Sequence, residues 1–323
     1  MKQNKRILSI ILTCVALGCL VAAGIIFFKY LKEDIQSDAY IGEYQPVYPE
    51  PIIIASSDSE TETVGSASQN ETSSISEPST SEEPDSVSTE TVEPSVEPEP
   101  EPEPVPNPYA AKYLENSDMA GWLVIPDTVI DYPIMWTPEN EEFYLRKGFD
   151  KKKLNAGCLI LDTDSCVDPL TTNLIIHGHN MKAGTMFGTL GKYEDEDFYK
   201  EHKQIILHTK ECQRNYEVIA VFYSQVYRTT DKVFKFYKFF QADTEEEFDD
   251  FYDNIKEMSI YDTGVTAEFG DHFITLSTCA YHVENGRFVV VAKEVEPGDS
   301  YLSVEESIAI LEEQSNEDSS ATQ

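Results

Sequence analysis

The stretch Ile274–Val291, ITLSTCAYHVENGRFVVV, indicates the fold class and the chemistry of this chain. A run of strand-forming residues ends at Cys279, and a second run, rich in valine, begins just after Arg287. Polar, glycine-containing sequence separates the runs, so the pattern predicts two strands joined by a loop. Such a pair brings one thiol and one guanidinium to the same end of a sheet. In this arrangement the thiol could act as a nucleophile and the guanidinium could stabilise the oxyanion that forms. Each residue alone also fits a structural position.

Short strand-forming runs recur in the sequence before this stretch, and turn-forming residues separate most of them. With the two runs above, the predicted strands are Gly121–Ile125, Val129–Pro133, Cys158–Leu161, Asn173–His177, Gln204–Leu207, Tyr216–Tyr223, Phe273–Thr278 and Arg287–Val291. Many short strands with few long helices are typical of an antiparallel barrel or sandwich.

An insertion between the sixth and seventh predicted strands has the pattern of an amphipathic helix. Thr244 is suited to an N-cap, glutamates occupy the first turn, and apolar residues repeat at helical spacing up to Met258. Shorter helices are predicted just after Pro108, in the segment of Met186, Phe187 and Leu190, and around Val304–Leu311.

The N-terminus has the pattern of a membrane anchor. Residues 7–28 form an uncharged, apolar run. As a helix, this run is long enough to cross a bilayer core of roughly 30 Å. Lys2, Lys5 and Arg6 precede this run, so residues 1–6 are expected in the cytoplasm and the rest outside. A cleaved signal peptide is the alternative. A retained anchor is favoured because the run is long and no small-residue cleavage site follows it.

The negative charge of the chain is concentrated in a segment of low complexity. The formal net charge is −35, and residues 56–106 contain 14 Asp or Glu and no Lys or Arg. Such a segment, filled out by Ser, Thr and Pro, is predicted to stay extended as a stalk within a linker, residues 29–107. A glycosylated or partner-binding tail is the alternative. Residues 298–323 form a second acidic tail. No basic patch indicates nucleic-acid binding.

This organisation leaves residues 108–297 for one folded domain, which contains four of the six cysteines. No paired-cysteine or Cys/His spacing indicates a zinc site, and no metal or other cofactor is expected. Cys158 opens an apolar run and reads as a buried strand residue. A disulfide between Cys158 and Cys166 remains open at this level.

A histidine-rich segment supplies the proton carrier that cysteine chemistry requires. The predicted strand Asn173–His177 runs into Gly178 and His179, followed by a loop. A histidine at a strand end can face a cleft and exchange protons near neutral pH. Either histidine alone also fits a structural polar residue. With Cys279 and Arg287, however, the set suits acyl transfer through a thioester.

Together these motifs resemble the sortases, membrane-anchored transpeptidases of Gram-positive bacteria, and more narrowly their class B. The resemblance covers residues 109–295. It rests on TLSTC with an arginine eight residues after its cysteine, on HGHNMKAGTMFGTL (177–190) and on GWLVIPDTVIDYPI (121–134). It implies an eight-stranded β-barrel with an N-terminal helix and a helix inserted before the cysteine strand.

The resemblance also implies a role for each site residue. Cys279 matches the nucleophile and Arg287 the arginine that stabilises the oxyanion or the substrate. His179, rather than His177, matches the general acid/base, because the family pattern places the histidine directly after a glycine. Ser277 and Thr278 are implied to bind substrate, and the inserted helix with its flanks to line the peptide groove.

The implied reaction has two steps. The thiol cleaves a C-terminal sorting signal of a secreted protein, an Asn-Pro-x-Thr-like pentapeptide in class B, after its threonine. The thioester is then resolved by an amine of a peptidoglycan precursor, or in some members by a pilin lysine. The alternatives are a surface cysteine protease that hydrolyses its substrate and a wall-binding barrel without catalysis. The expected location is the cell membrane, with the catalytic domain outside.

Overall fold

The computed structural model describes residues 103–321. The predicted cytoplasmic N-terminus, the anchor at 7–28 and the linker up to residue 102 lie outside the described residues. Among the helices that are described, none is long and apolar enough to cross a membrane.

Eight strands form a closed barrel, which confirms the predicted architecture. They are β1 Met119–Val124, β2 Asp131–Met135, β3 Leu159–Leu161, β4 Asn173–Gly178, β5 Gln204–His208, β6 Cys212–Gln225, β7 Phe273–Cys279 and β8 Gly286–Ser300. Around the barrel the order is β1-β2-β3-β4-β7-β8-β6-β5. The β2–β3 and β4–β7 pairs are parallel, so the expectation of an antiparallel barrel or sandwich was wrong for these two pairs. Long connections precede β3 and β7, and parallel neighbours need such crossovers.

Strands β6 and β8 extend well beyond their apolar runs and pair with each other along their whole length. Three register shifts occur in this pair, between Cys212 and Arg214, between Asn215 and Tyr216, and between Val218 and Ala220. The ladder continues into polar sequence because backbone groups, rather than side chains, form its hydrogen bonds. Apolar patterning therefore underestimated the length of both strands.

Four α-helices accompany the barrel in the described part of the chain: α1 Ala110–Glu115, α2 Glu196–Glu201, α3 Glu245–Met258 and α4 Val304–Ala321. The 3-10 helices are Glu141–Tyr144, Leu190–Glu194 and Phe236–Lys238. The hydroxyl of Thr244 accepts a hydrogen bond from the Glu247 amide at 3.3 Å, which confirms the predicted N-cap of α3. The helix predicted through Met186 and Phe187 was wrong: Met186 has a φ of 52°, outside the helical range, and the 3-10 helix begins only at Leu190.

The two ends of the described chain pack together beyond the boundary predicted at residue 297. β8 continues to Ser300, and α4 packs against α1. The Asn107 amide donates to the Ser307 hydroxyl at 3.0 Å, and both residues are buried. Residues 298–307 therefore belong to the folded part, because they complete β8 and cover α1.

Helix α3 packs on the barrel against strands β7 and β8. Phe248, Phe251 and Ile255 of α3 are buried against Phe273 of β7 and Val289 of β8. A second cluster fills the barrel interior and includes Leu276 and Val290. Strands β7 and β8 are thus apolar on both faces, which explains their nearly continuous hydrophobic sequence. Side chains packed on both sides hold these strands rigidly, and the candidate site lies at their common edge.

Candidate active site

Three neighbouring strands bring the predicted catalytic residues to one end of the barrel. Cys279 at the end of β7 is the register partner of Arg287 at the start of β8. On the other side of β7, Gly178 of β4 pairs with Thr278, so His179 follows at the level of Cys279. Since β4 and β7 are parallel, their carboxyl ends lie at the same end of the barrel. Cys279, His179 and Arg287 all line one cavity of about 360 Å³.

A hydrogen bond from the β2–β3 connection orients the His179 ring. His179 Nε2 lies 2.9 Å from the carbonyl oxygen of Leu145. A carbonyl only accepts, so Nε2 carries the proton and Nδ1 is the nitrogen left to exchange one. Burial lowers the pKa of His179 from its ordinary 6.5, and the positive charge of Arg146 lowers it further, against the effect of the Leu145 hydrogen bond. A neutral, oriented imidazole is therefore favoured near pH 7.

Two side-chain hydrogen bonds join the end of β4 and the residues after it to β7 beside Cys279. Thr278 Oγ1 donates to the carbonyl of Gly178 at 2.8 Å, and Asn180 Nδ2 donates to the carbonyl of Cys279 at 2.7 Å. Thr278, which was expected to bind substrate, lines the cavity, but its hydroxyl already donates its hydrogen bond to Gly178. Sequence reasoning missed Asn180, although its position directly after His179 was the available signal. These bonds join the end of β7, which carries Cys279, to the two residues on either side of His179.

Backbone carbonyls hold the Arg287 guanidinium in place. Its Nη1 donates to the carbonyls of Gly286 at 3.0 Å and Asn285 at 3.3 Å. Within residues 103–321, Arg287 forms no ion pair with a carboxylate. Its positive charge beside Cys279 is therefore not neutralised locally and can stabilise negative charge that develops on a bound substrate.

His177 faces a different partner from His179. His177 Nε2 lies 3.2 Å from Asp162 Oδ2, a carboxylate that follows β3. The register partner of His177 on β7 is Ser277, which is buried and lines the same cavity. Both histidines line this cavity, but only His179 lies at the level of the thiol. This geometry favours His179 as the proton carrier.

Cys158 also lines the cavity but differs chemically from Cys279. It is buried, and burial raises the pKa of its thiol to about 12. Its sulfur therefore stays protonated at neutral pH and is a poor nucleophile. Cys158 and Cys166 are both free thiols, and the structure has no disulfide between them. Cys279, which is partly exposed, is the thiol placed for reaction.

The insertion contributes to the cavity through the segment before α3 rather than through α3 itself. Val226 and the 3-10 helix Phe236–Lys238 line the catalytic cavity, and no residue of α3 does. The α3 residues Glu246 and Asp250 instead line a separate surface groove of about 790 Å³. The segment before α3 therefore forms part of the cavity wall, whereas α3 itself packs behind that wall.

Comparison with known proteins decides the family. A family model described as a sortase domain matches residues 123–295, more than half of the chain. The chain belongs to the sortase family. This sortase is 37% identical over 186 residues to sortase B of Listeria monocytogenes, covering 56% of this chain and 71% of that protein. It is 31% identical over 180 residues to sortase B of Staphylococcus aureus, covering 55% and 70%.

Solved structures agree with the sequence relatives. A crystal structure of sortase B from B. anthracis matches with a TM-score of 0.51 and 32% identity, covering 58% of this chain and 84% of that one. A Staphylococcus aureus sortase B–substrate complex matches with a TM-score of 0.53 and 27% identity, covering 59% and 87%. This sortase is therefore of class B, a cysteine transpeptidase on the eight-stranded barrel, as the sequence motifs predicted.

Proposed function

We propose that this sortase cleaves the C-terminal sorting signal of secreted proteins through a thioester on Cys279. The acyl group is then transferred to an amine of a cell-wall precursor. The observation that supports this most directly is the register pairing of Cys279 with Arg287, with His179 in the same cavity. A thiol, a proton carrier and an uncompensated cation at one edge are the three groups that acyl transfer needs.

In the first step the thiol proton of Cys279 passes to His179 Nδ1 and the sulfur attacks the peptide carbonyl. The S–C bond forms, and Arg287 stabilises the negative charge on the carbonyl oxygen. Collapse of the tetrahedral intermediate breaks the C–N bond, and His179 gives its proton to the leaving amine. In the second step an amine attacks the thioester, the C–S bond breaks, and the sulfur regains a proton.

The proposed setting of this reaction follows from the chain outside the barrel. Residues 7–28 would anchor the protein in the cell membrane with residues 1–6 in the cytoplasm. The acidic linker would act as a stalk that holds the folded catalytic domain, which continues beyond the predicted boundary at residue 297, away from the outer membrane surface. The concentration of negative charge and proline in residues 56–106 supports the spacer role, because like charges and repeated proline favour an extended chain.

The test is incubation of the full-length chain with a library of Asn-Pro-x-Thr-type peptides and candidate amines, followed by mass spectrometry. Wild-type protein should give a thioester adduct on Cys279 and an amide product with the preferred amine. Cys279→Ala should give neither, whereas Cys166→Ala, which removes a free thiol outside the cavity, should give both. Hydrolysed peptide with no amide product would favour a surface protease, and a pilin lysine as the best acceptor would favour a pilin-linking enzyme.

A further inference from the structure

Three side chains that the mechanism above does not use meet on one side of the catalytic cavity. Glu141 begins a 3-10 helix after β2, Asp162 follows β3, and His177 lies on β4. One carboxylate oxygen of each acid and a ring nitrogen of the histidine all lie within 4.8 Å of one another. We call this set the His-carboxylate cluster. Its members come from three separate segments, so no local spacing in the sequence indicates it.

The spacing of the donor atoms fits one small divalent ion. His177 Nε2 lies 3.2 Å from Asp162 Oδ2. Zinc binds imidazole nitrogen and carboxylate oxygen at about 2.0–2.2 Å, so two ligand atoms of a tetrahedral zinc site stand about 3.4 Å apart. The His177–Asp162 pair already has nearly this separation. Glu141 is exposed, and a movement of its carboxylate by about 1.4 Å or less brings it to the same separation.

The cluster also carries negative charge that no lysine or arginine of the described chain neutralises. Neither Glu141 nor Asp162 forms an ion pair with such a side chain within residues 103–321. Two ionised carboxylates leave a net negative charge even when His177 is protonated. Because opposite charge nearby favours the ionised carboxylate, a bound cation would stabilise the cluster.

A buried hydroxyl beside the cluster independently indicates that a ligand binds there. Ser277 is 2% exposed, and its Oγ has no hydrogen-bond partner within residues 103–321. Ser277 is the register partner of His177 on the neighbouring strand, and both residues line the cavity. Because buried polar groups are nearly always hydrogen-bonded, a group outside the described protein is needed to satisfy this hydroxyl. A water molecule bound to a metal ion at the cluster meets that need.

We propose that Glu141, Asp162 and His177 bind a divalent transition-metal ion of the Zn²⁺ type, and that the bound ion inhibits the enzyme. The two acids supply one carboxylate oxygen each, and His177 supplies Nε2. A water molecule fills the fourth position and hydrogen-bonds to the Ser277 hydroxyl, as three protein ligands leave a tetrahedral zinc site open. The imidazole nitrogen favours a transition metal over Ca²⁺ and Mg²⁺, which take oxygen ligands.

The position of the site relative to the thiol accounts for the inhibition. Ser277 lies two residues before Cys279 on β7, which is about 6.6 Å along the strand. The three proposed ligands and Cys279 line the same cavity of about 360 Å³. An ion with its bound water therefore occupies space that a peptide needs in order to reach the thiol. This part of the inference rests on the proposed function, because it takes the cavity as the groove for the sorting signal.

Metal binding is measured without turnover, by calorimetric titration of the metal-free, full-length Cys279→Ala variant with Zn²⁺. This variant lacks the reactive thiol, which is itself a possible zinc ligand. Adding His177→Ala, or Glu141→Gln with Asp162→Asn, should weaken binding at least about tenfold, because loss of even an outer-shell partner costs that much. The control Glu139→Gln removes an exposed neighbouring carboxylate outside the cavity and should leave the Kd unchanged.

Two outcomes of the titration would overturn the site. One is a Kd that stays the same when the ligands are substituted. The single variant Glu141→Gln changes only an exposed side chain and should also weaken binding, so a folding defect cannot account for the result. The other is displacement of Zn²⁺ by an excess of Ca²⁺, which would show that the site prefers a hard, oxygen-binding ion.

Kinetics of the wild-type chain test the inhibition. Zn²⁺ should raise the KM for an Asn-Pro-x-Thr peptide and leave kcat unchanged, because the ion and the peptide compete for one cavity. The double substitution Glu141→Gln, Asp162→Asn should remove this rise, measured against its own metal-free KM. An equal rise in the double variant would place the effect at Cys279 and overturn the proposed inhibition. Zinc binding at the cluster with no thioester in the wild-type chain would contradict the proposed function alone.

Discussion

Gly178 offers a sharp test of the link between barrel packing and catalysis. It ends β4 between the two histidines of the cavity. A Cβ at this position would lie 2.5 Å from Cδ2 of Phe187 and 2.7 Å from Cδ2 of Leu159, and both side chains are fully buried. Ordinary carbon contacts are about 3.5–4.0 Å, so Gly178→Ala creates an overlap of about 1 Å. Either the core side chains or the end of β4 must move.

The size of the effect follows from the packing. Overfilling a well-packed core typically costs about 1–3 kcal/mol of unfolding free energy. For a domain of this size, that lowers Tm by roughly 2–12 °C. Any outward movement of β4 also displaces His179, the next residue, relative to Cys279. A misplacement of about 1 Å in a catalytic group can lower the rate about 10²-fold.

The assay pairs thermal unfolding, followed by circular dichroism, with the rate of thioester formation. Gly191→Ala is the matched control, because a Cβ at Gly191 meets no atom within 4 Å. The control should keep both the Tm and the rate, whereas Gly178→Ala should lower both. A Gly178→Ala variant that equals the Gly191→Ala variant in Tm and in rate would refute the argument that this packing positions the imidazole.

Further predictions concern the remaining site residues. His179→Ala should lower the rate of thioester formation at least about 10²-fold. His177→Ala should lower this rate far less. Equal losses in the two variants would contradict the assignment of His179, rather than His177, as the proton carrier. Arg287→Lys keeps the charge but loses the planar donor geometry, so kcat/KM should fall about 10²-fold, and near-normal turnover would argue against a direct contact with the oxyanion. The pKa of His179, measured by NMR titration of the ring, should lie below 6.5. Because a nearby positive charge disfavours the imidazolium, Arg146→Gln should raise that pKa, and an unchanged value would show that the charge is screened.

Local sequence signals were sufficient for most of the secondary structure. All eight strands overlap the predicted strand-forming runs, although β6 and β8 extend beyond theirs, and α3 begins directly after its predicted N-cap, Thr244. These features depend on near neighbours, because side-chain alternation and capping act within one strand or one turn. The failure at Met186 has the same origin: a helical spacing of apolar residues was present, but their burial in the barrel interior determined the backbone.

The sequence by itself determined that Cys279 and Arg287 belong to consecutive strands, and their spacing already implied a shared edge. Only the tertiary structure placed His179 beside them, because the parallel pairing of β4 with β7 joins segments about 100 residues apart. The same closure of the barrel supplied the Leu145 carbonyl to one histidine and the Asp162 carboxylate to the other. Contacts of this kind depend on how strands pair around the barrel. The residue pattern within one strand does not indicate which strand pairs with it. The predicted nucleophile was therefore visible in the sequence, and the family resemblance already favoured His179. The fold added a separate hydrogen-bond partner for each histidine.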